Sequence, residues 1–255
     1  ESRFDPGSDL HAPELYQPSE TASGVDTLAD IGPAEIAFYR EHGYLVVRHA
    51  FTPAEVQAGL EGLVALILGS RPDFKNLWFE AQAKDILPTL TADQRQDAVR
   101  KLAYFVEFDA RLKALSHHPQ LWSTVRRLLG DREPHMFQDM ALIKPPRVGR
   151  EKPWHQDHAY FDYALGTPVV GVWIALDEAT VENGCMQILP RSVAAPLAPG
   201  GLLLFDGLLP HGTPHNSSPK RRRALQFHYA PADAVKTSQA DRLAHFGSEG
   251  KDVTC

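Results

Sequence analysis

Apolar positions follow a helical spacing in the first half of the chain and a strand-like spacing in the second. In the first half, Ile36, Ala37 and Tyr39 lie along one short helix, and Thr52 and Glu55 form a capping box with Pro at the first helical turn. The elements predicted there are an irregular arm over 1–30, a helix over 31–43, a β run over 44–47, a helix from Thr52 to about Leu68, and a charged helical region from about Ala92 to Leu129 that breaks near His117-His118-Pro119.

After Asp131 the chain breaks into short β runs separated by Pro, Gly and Asn. The runs extend from His135 to Ile143, from Val169 to Leu176, from Cys185 to Leu189, from Gly201 to Phe205 and from Ala224 to Tyr229. This spacing favours a sandwich or barrel over a parallel α/β sheet. Because no linker separates the helices from the β region, we expect one domain over 1–255 with its β core at 131–230.

Composition narrows the class of protein. The chain has 255 residues, 43% of them hydrophobic, which suffices for one good-sized core. Its net charge of −6 and pI of 6.1 do not indicate a basic surface that would bind nucleic acid or an anionic membrane. The two cysteines, Cys185 and Cys255, lack the spacing of a zinc site and favour a reducing, cytoplasmic setting. No apolar run is long enough to span a bilayer, and no signal-peptide pattern opens the chain.

The segment Pro153-Trp154-His155-Gln156-Asp157-His158 contains a candidate metal-binding pair. In an extended strand, His155 and Asp157 would share one face, with Gln156 turned outward. One imidazole and one carboxylate, joined by a second histidine, form the facial triad of non-haem iron(II) oxygenases. An H-x-D pair alone is weak evidence, because a surface histidine beside a solvated aspartate is common.

Two later residues strengthen this interpretation. The β run at 201–205 delivers His211 at its end, where it is the natural third ligand. Eleven residues further on, Arg222 opens the last β run within Lys220-Arg221-Arg222-Arg223-Ala224. A guanidinium there suits bidentate pairing with a carboxylate such as the distal one of 2-oxoglutarate. The alternative is a solvated basic turn, which applies to some of these three arginines.

Several ordered motifs resemble the phytanoyl-CoA dioxygenase (PhyH) family of iron(II)/2-oxoglutarate oxygenases. They are Gly43-Tyr44-Leu45-Val46-Val47, Met140-Ala141-Leu142-Ile143-Lys144-Pro145-Pro146, Trp154-His155-Gln156-Asp157-His158-Ala159-Tyr160-Phe161, Gly171-Val172-Trp173-Ile174-Ala175, Glu182-Asn183-Gly184-Cys185, Leu189-Pro190-Arg191-Ser192, His211-Gly212-Thr213 and Arg222-Arg223-Ala224. The resemblance covers nearly the whole chain after the arm and is more specific than the triad alone.

The resemblance implies a mainly β fold with flanking helices, a double-stranded β-helix or jelly roll of the cupin type. It assigns His155, Asp157 and His211 as ligands of Fe(II). It also assigns contacts with the cosubstrate 2-oxoglutarate, at Arg222, Trp173, Thr213, Met140, Gln156 and, in the helical region, Lys101. The implied reaction uses O2, releases succinate and CO2, and oxidises an unactivated C–H bond of a small molecule. Because halogenating relatives carry a small residue in place of the aspartate, Asp157 favours hydroxylation.

Strand alternation extends the set of candidates toward the substrate. If Met140 faces the cosubstrate, Gln138 and Lys144 face inward with it, Lys144 at the rim where Pro145-Pro146 ends the strand. On the last strand, Gln226 and His228 would stand behind Arg222, although His228 fits a core histidine slightly better. The substrate mouth is expected at the residues that follow the ligands directly, His158, Tyr160 and Phe161.

Two questions stay open in the sequence. In the family, a long loop usually follows Pro-Arg-Ser, whereas here Ser192-Val193 leads directly into Ala194. Either the loop is deleted or the sequence omits a segment between Val193 and Ala194, and we favour the omission. The alternative functions are a non-catalytic jelly-roll binding protein and a metal-dependent cupin oxygenase that does not use 2-oxoglutarate. Arg222 argues against the latter, because only a carboxylate cosubstrate requires it.

Overall fold

The computed structural model describes residues 3–5, 11–189 and 192–247. Its helices are α1 (Pro33–His42), α2 (Pro53–Ile67), α3 (Ala92–Asp97), α4 (Ala110–Ser116), α5 (Pro119–Leu128) and α6 (Gln239–Phe246). Its strands are β1 (Arg3–Asp5), β2 (Glu20–Thr21), β3 (Gly24–Val25), β4 (Tyr44–Val47), β5 (Leu77–Glu80), β6 (Val99–Ala103), β7 (Pro134–Lys144), β8 (Lys152–His155), β9 (Val170–Ala175), β10 (Met186–Ile188), β11 (Val193–Ala195), β12 (Leu202–Asp206), β13 (His211–Thr213) and β14 (Arg222–Pro231).

The strands form two sheets. The larger has nine strands in the order β1-β5-β6-β7-β14-β9-β12-β4-β3, and the smaller has five in the order β2-β11-β10-β13-β8. The sheets pack face to face, because one buried cluster takes Trp173, Leu203 and Ala224 from the large sheet and Met186 and Ile188 from the small one. Among the described residues, four of the twelve neighbouring strand pairs join consecutive strands, and the other eight join strands further apart in the chain, as expected for crossed connections between the two layers.

The helices cover the outer face of the large sheet. Leu63 of α2, Leu112 of α4 and Val125 of α5 pack in one core with strand residues such as Val172 and Phe227. Strand β9 is therefore buried on both faces, which explains its unbroken apolar run. No helix in the described part of the chain is long and apolar enough to cross a membrane.

The predicted start of α2 is confirmed in detail. The Thr52 hydroxyl accepts a hydrogen bond from the Glu55 N–H at 3.3 Å, and the Glu55 carboxylate accepts one from the Thr52 N–H at 2.8 Å. Two unpaired backbone donors at the helix start are thus satisfied together. The helix over 31–43 and the β run over 44–47 are also confirmed, as α1 and β4.

The prediction for residues 92–129 is wrong in one place that matters. The charged region contains strand β6 between α3 and α4, and β6 pairs with β7 so that Lys101 lies opposite Leu142. The arm is also more ordered than predicted, because β2 pairs with β11 of the small sheet and β3 pairs with β4 of the large one.

The long loop expected from the family would lie beside the pair of strands β10 and β11. Strands β10 and β11 pair antiparallel, with Ile188 opposite Val193. Pro190 and Arg191, which belong to one of the family-like motifs, lie outside the described residues. Val193 and Ala194, between which the sequence analysis favours an omitted segment, are consecutive residues of β11, and the omission stays a prediction.

Candidate functional site: a facial triad beside a buried arginine

His155 and Asp157 are brought together differently from the prediction. Strand β8 ends at His155, and Asp157 begins a 3-10 turn over Asp157–Tyr160, so the two residues do not share one strand. Their side chains nevertheless converge, with His155 Nε2 3.3 Å from Asp157 Oδ1. The two side chains therefore converge because of the 3-10 turn, and not because they alternate along one strand.

His211 completes the group from the neighbouring strand. It opens β13 and pairs with His155 on β8, which places the two imidazole centroids 4.3 Å apart. His211 Nε2 lies 3.6 Å from Asp157 Oδ2. One ligand atom from each of the three residues lies within 4.8 Å of the others, close enough for all three to hold one metal ion.

The Nδ1 atoms of both histidines already form hydrogen bonds within the protein. His155 Nδ1 lies 2.7 Å from the Pro153 carbonyl, and His211 Nδ1 lies 2.9 Å from the Leu209 carbonyl. A carbonyl only accepts, so each Nδ1 carries the proton and each Nε2 keeps a lone pair for a metal. The donor set therefore fits iron(II), which takes two neutral imidazoles and one carboxylate.

The protonation states also suit a metal. Burial lowers the pKa of His211 to about 4, so this imidazole is neutral at neutral pH. Burial by itself would raise the pKa of Asp157, but the adjacent His211 and His228 hold it well below its usual range. The site thus presents an ionised Asp157 carboxylate beside the neutral imidazole of His211.

Strand β14 supports Asp157 from behind. Gln226 Nε2 donates to Asp157 Oδ2 at 3.1 Å, and His228 Nε2 lies 2.7 Å from the same oxygen. The sequence placed Gln226 and His228 behind Arg222, whereas the contacts in the structure are with Asp157. His228, which the sequence favoured slightly as a core histidine, is also fully buried.

A cavity between the sheets contains the triad and most of the residues predicted to contact the cosubstrate. Its lining includes His155, Asp157, His211, Arg222, Trp173, Thr213, Met140 and Lys101. The residues that the sequence did not single out include Arg100, Lys152 and Met186. Arg100 was missed because β6 was predicted as part of a helical region.

Arg222 is the most unusual residue of this lining. It is 1% exposed, and Nη1 donates to the Leu142 carbonyl at 3.3 Å. Its Nε and the Trp173 Nε1 have no hydrogen-bond partner among the described residues. Burial and the nearby Arg100 lower the pKa of Arg222 to about 9, yet it remains charged at neutral pH. A buried cation with unused donors fits a carboxylate ligand.

Lys144 lies deeper than predicted. It lines the cavity but is 2% exposed, so it is not at the rim. Its Nζ donates to the carbonyls of Arg150 at 2.8 Å and Thr213 at 3.2 Å, and also to that of Pro214. These three bonds join the end of β7 to the end of β13. They explain why the Lys144 ammonium is buried, and no contact with a substrate is needed to account for it.

Five other predicted contacts, Tyr160 among them, lie outside the cavity lining. Gln156 donates to the Leu208 carbonyl, and Gln138 is half-buried on β7. His158 is 1% exposed and contacts the carbonyls of Tyr163 and Ala164, so it fixes the turn instead of forming the mouth. Phe161 packs against Phe137 and His228 in a small core.

Tyr160 is the one aromatic of the predicted mouth that lies beside the triad. Its ring stands edge-on to that of His155, with centroids 5.9 Å apart. The 3-10 turn explains the difference from His158 and Phe161, because it rotates successive side chains by about a third of a turn, where a strand would alternate them.

A mainly β sandwich with two histidines and one carboxylate around an open position defines the class of mononuclear non-haem iron oxygenases. The comparison with known families agrees. The family model for phytanoyl-CoA dioxygenase (PhyH) matches residues 39–192 and 191–224. The chain therefore belongs to the PhyH family, and it is an iron(II)- and 2-oxoglutarate-dependent oxygenase, as the sequence predicted.

Individual proteins of this family are also similar to the chain. The phytanoyl-CoA dioxygenase domain-containing protein 1 homolog of Caenorhabditis elegans is 25% identical over 204 residues, which cover 65% of this chain and 70% of the relative. Matches to three relatives of this kind span 58 to 70% of the relatives' own length. The two segments of the family match meet at 191–192, next to the place where the sequence lacks the family's long loop.

Solved structures confirm the predicted jelly-roll fold. EctD from S. alaskensis with bound Fe superposes with a TM-score of 0.67 at 21% identity, covering 93% of this chain and 86% of that one. EvdO2 from Micromonospora carbonacea var. aurantiaca complexed with 2-oxoglutarate has a TM-score of 0.61 at 22% identity, covering 82% and 94%. At these identities the likeness concerns the fold.

Proposed function

We propose that this protein hydroxylates an unactivated C–H bond of a small molecule, with iron(II) as the metal and 2-oxoglutarate and O2 as cosubstrates. The observation that carries the proposal is the placement of the triad and the buried Arg222 in one cavity. Bound iron supplies the oxidising chemistry and couples it to the conversion of 2-oxoglutarate into succinate and CO2.

In this proposal the metal is held by His155 and His211 through Nε2 and by Asp157 through one carboxylate oxygen. Gln226 and His228 occupy Asp157 Oδ2 and restrain the carboxylate from rotating. Three protein ligands on one side would leave the other side of a bound metal open to the cosubstrates. The chain's contribution is to fix the ligands before the metal arrives.

Arg222 is proposed to bind the distal carboxylate of 2-oxoglutarate, with Thr213, Trp173, Met140 and Lys101 around it. The guanidinium can form two parallel hydrogen bonds with a carboxylate, which orients the cosubstrate as well as binding it. Met140, Leu142, Trp173 and Met186 make much of the remaining lining apolar. Such a lining limits water near the reacting centre.

Asp157 also favours hydroxylation over halogenation. A halogenating relative frees a metal position for chloride by carrying a small residue there, whereas this chain places a buried carboxylate held by two hydrogen bonds. The family name points to an acyl-CoA as one substrate class, and the structure offers no feature that selects it. The cytoplasmic location expected from the cysteines stays a prediction.

Measurement of succinate formation and O2 uptake with iron(II) and 2-oxoglutarate tests the proposal. We expect slow turnover without a substrate, loss of turnover in Asp157→Ala, and normal turnover in Asp233→Ala, a matched change in an exposed ion pair with Arg132. Absence of both turnover and 2-oxoglutarate binding would instead support a binding protein. O2 uptake without succinate would support a cupin oxygenase that does not use 2-oxoglutarate.

A further inference from the structure

The two strands that carry the histidine ligands do not form a regular ladder. On β13, His211 and Thr213 are two residues apart, whereas their partners on β8, His155 and Lys152, are three residues apart. One extra residue is therefore accommodated on β8 as a bulge. Pro153 lies within it, and a proline tolerates this place because it has no N–H to give to the ladder.

The bulge changes which way Lys152 faces. Residues three apart on a regular strand point to opposite faces, so Lys152 would point away from the side of His155. The observed register instead sets Lys152 opposite Thr213, and both residues line the cavity. The Lys152 Nζ is buried, 5.8 Å from the centroid of the Tyr160 ring that stands beside His155.

Thr213 also fixes how far along the cavity Lys152 lies. The Thr213 carbonyl accepts a hydrogen bond from Lys144, and Lys144 pairs with Arg222 across β7 and β14. Thr213 is thus tied to the Arg222 end of the cavity, whereas His211 marks the metal end. Lys152, directly opposite Thr213, lies on the Arg222 side of the metal ligands.

We propose that Lys152 is a further basic contact for the distal carboxylate of 2-oxoglutarate, beside Arg222. This inference rests on the proposed function. A carboxylate has about four lone-pair sites, so it accepts bonds from a guanidinium, a hydroxyl and an ammonium together. Arg222 supplies the fixed planar geometry, and Lys152 supplies a compact positive charge on a flexible stem.

The test uses equilibrium binding and does not require turnover. 2-Oxoglutarate is titrated into the iron(II)-loaded protein without oxygen, and its Kd is measured by calorimetry for the wild type, Lys152→Met, Lys152→Arg and Lys236→Met. The last is a matched control, because Lys236 lies over the Tyr163 ring at 3.4 Å and is not part of the cavity lining. All four proteins are first compared by melting temperature and iron content.

We expect Lys152→Met to weaken 2-oxoglutarate binding by about 10- to 100-fold, the usual effect of losing a hydrogen bond between charged groups. Lys152→Arg should restore most of the affinity, and Lys236→Met should leave it unchanged. An unchanged Kd in Lys152→Met, with the fold and iron retained, would overturn the inference.

A second probe tests which carboxylate is contacted. 2-Oxobutanoate keeps the oxo-acid group that chelates iron and lacks the distal carboxylate. Lys152→Met should therefore weaken 2-oxoglutarate much more than 2-oxobutanoate, and an equal loss for both would overturn the assignment to the distal group. Arg222→Met separates this inference from the proposed function: if it too leaves 2-oxoglutarate binding unchanged, the proposed function itself fails.

Discussion

His228 Nε2 lies 2.7 Å from Asp157 Oδ2, inside a core where His228 is fully buried. The two oxygens of the Asp157 carboxylate therefore have different surroundings. Oδ1 faces His155, and Oδ2 contacts side chains of β14. The same strand begins with Arg222 and also carries Gln226, with all three residues on one face. One strand therefore orients a metal ligand and supplies the cation proposed for the cosubstrate.

We predict that His228→Leu weakens iron(II) binding by about 10- to 100-fold, the usual effect of removing the partner of a metal ligand. Without His228, Asp157 loses its shortest hydrogen bond and can rotate. His228→Gln should retain part of the affinity, because an amide can still donate. Iron(II) affinity measured by competition with a chelator checks this, with exposed His42→Leu as the control. Equal affinities in wild type and His228→Leu would refute it.

Gly171 is a second residue that acts on the metal site from a distance. It lies on β9, where a methyl group would come within 2.2 Å of the Phe205 ring. That ring packs against His211, with centroids 4.7 Å apart. Any side chain at position 171 would therefore displace the Phe205 ring, which is in contact with this ligand.

We expect Gly171→Ala to destabilise the protein by about 1 to 3 kcal/mol through overpacking and to weaken metal binding as well. Gly166→Ala is the matched control, because nothing lies within 4 Å of a methyl group there. Urea denaturation and metal titration of both variants check this. A Gly171→Ala protein as stable as Gly166→Ala would show that Phe205 moves without cost.

Two of the three metal ligands were predictable from the sequence because their spacing is local. His155 and Asp157 are two residues apart, so a strand and a 3-10 turn both bring them together. His158 and Phe161 were placed wrongly for the same reason, since the choice between strand and turn decides where each of them points. Only Tyr160 lies beside the triad in the structure.

Strand β6 and the orientation of Lys152 could not be predicted from the sequence, because both depend on pairing with strands distant in the chain. The sequence of β6 has two adjacent basic residues, Arg100 and Lys101, within a charged region, and its pairing with β7 makes it a strand. Lys101 was placed at the site only through the family resemblance. Lys152 faces the cavity because of a bulge against β13, a strand almost sixty residues later in the chain.

The metal-free protein should lose stability as the pH falls from about 6.5 to about 4. The folded state lowers the pKa of His211 to about 4, whereas the unfolded chain takes up this proton near 6.5. Because the unfolded state binds more protons in this window, unfolding becomes more favourable, by up to about 1.4 kcal/mol per pH unit.

The His211→Gln variant lacks this titrating group, so its stability should fall less steeply than that of the wild type. Urea denaturation of both metal-free proteins at several pH values between 7.5 and 4.5 checks the slope, with exposed His49→Gln as the control. Asp157 adds little in this range, since its pKa is held well below the usual value. Parallel curves for wild type and His211→Gln would contradict the prediction.

Arg242, on helix α6, supports the 3-10 turn that contains Asp157. It lies outside the segments that the family model matches. It is 3% exposed, and it donates to the Ala159 carbonyl at 2.6 Å and to the Asp162 carboxylate at 2.9 Å. We expect Arg242→Met to cost about 1 to 3 kcal/mol of stability and to weaken iron(II) binding, because the turn then loses its support. Asp162→Asn removes only the half-exposed partner, so it should cost less in both measurements. Equal effects of the two changes would place the support in the ion pair and not in the bond to Ala159.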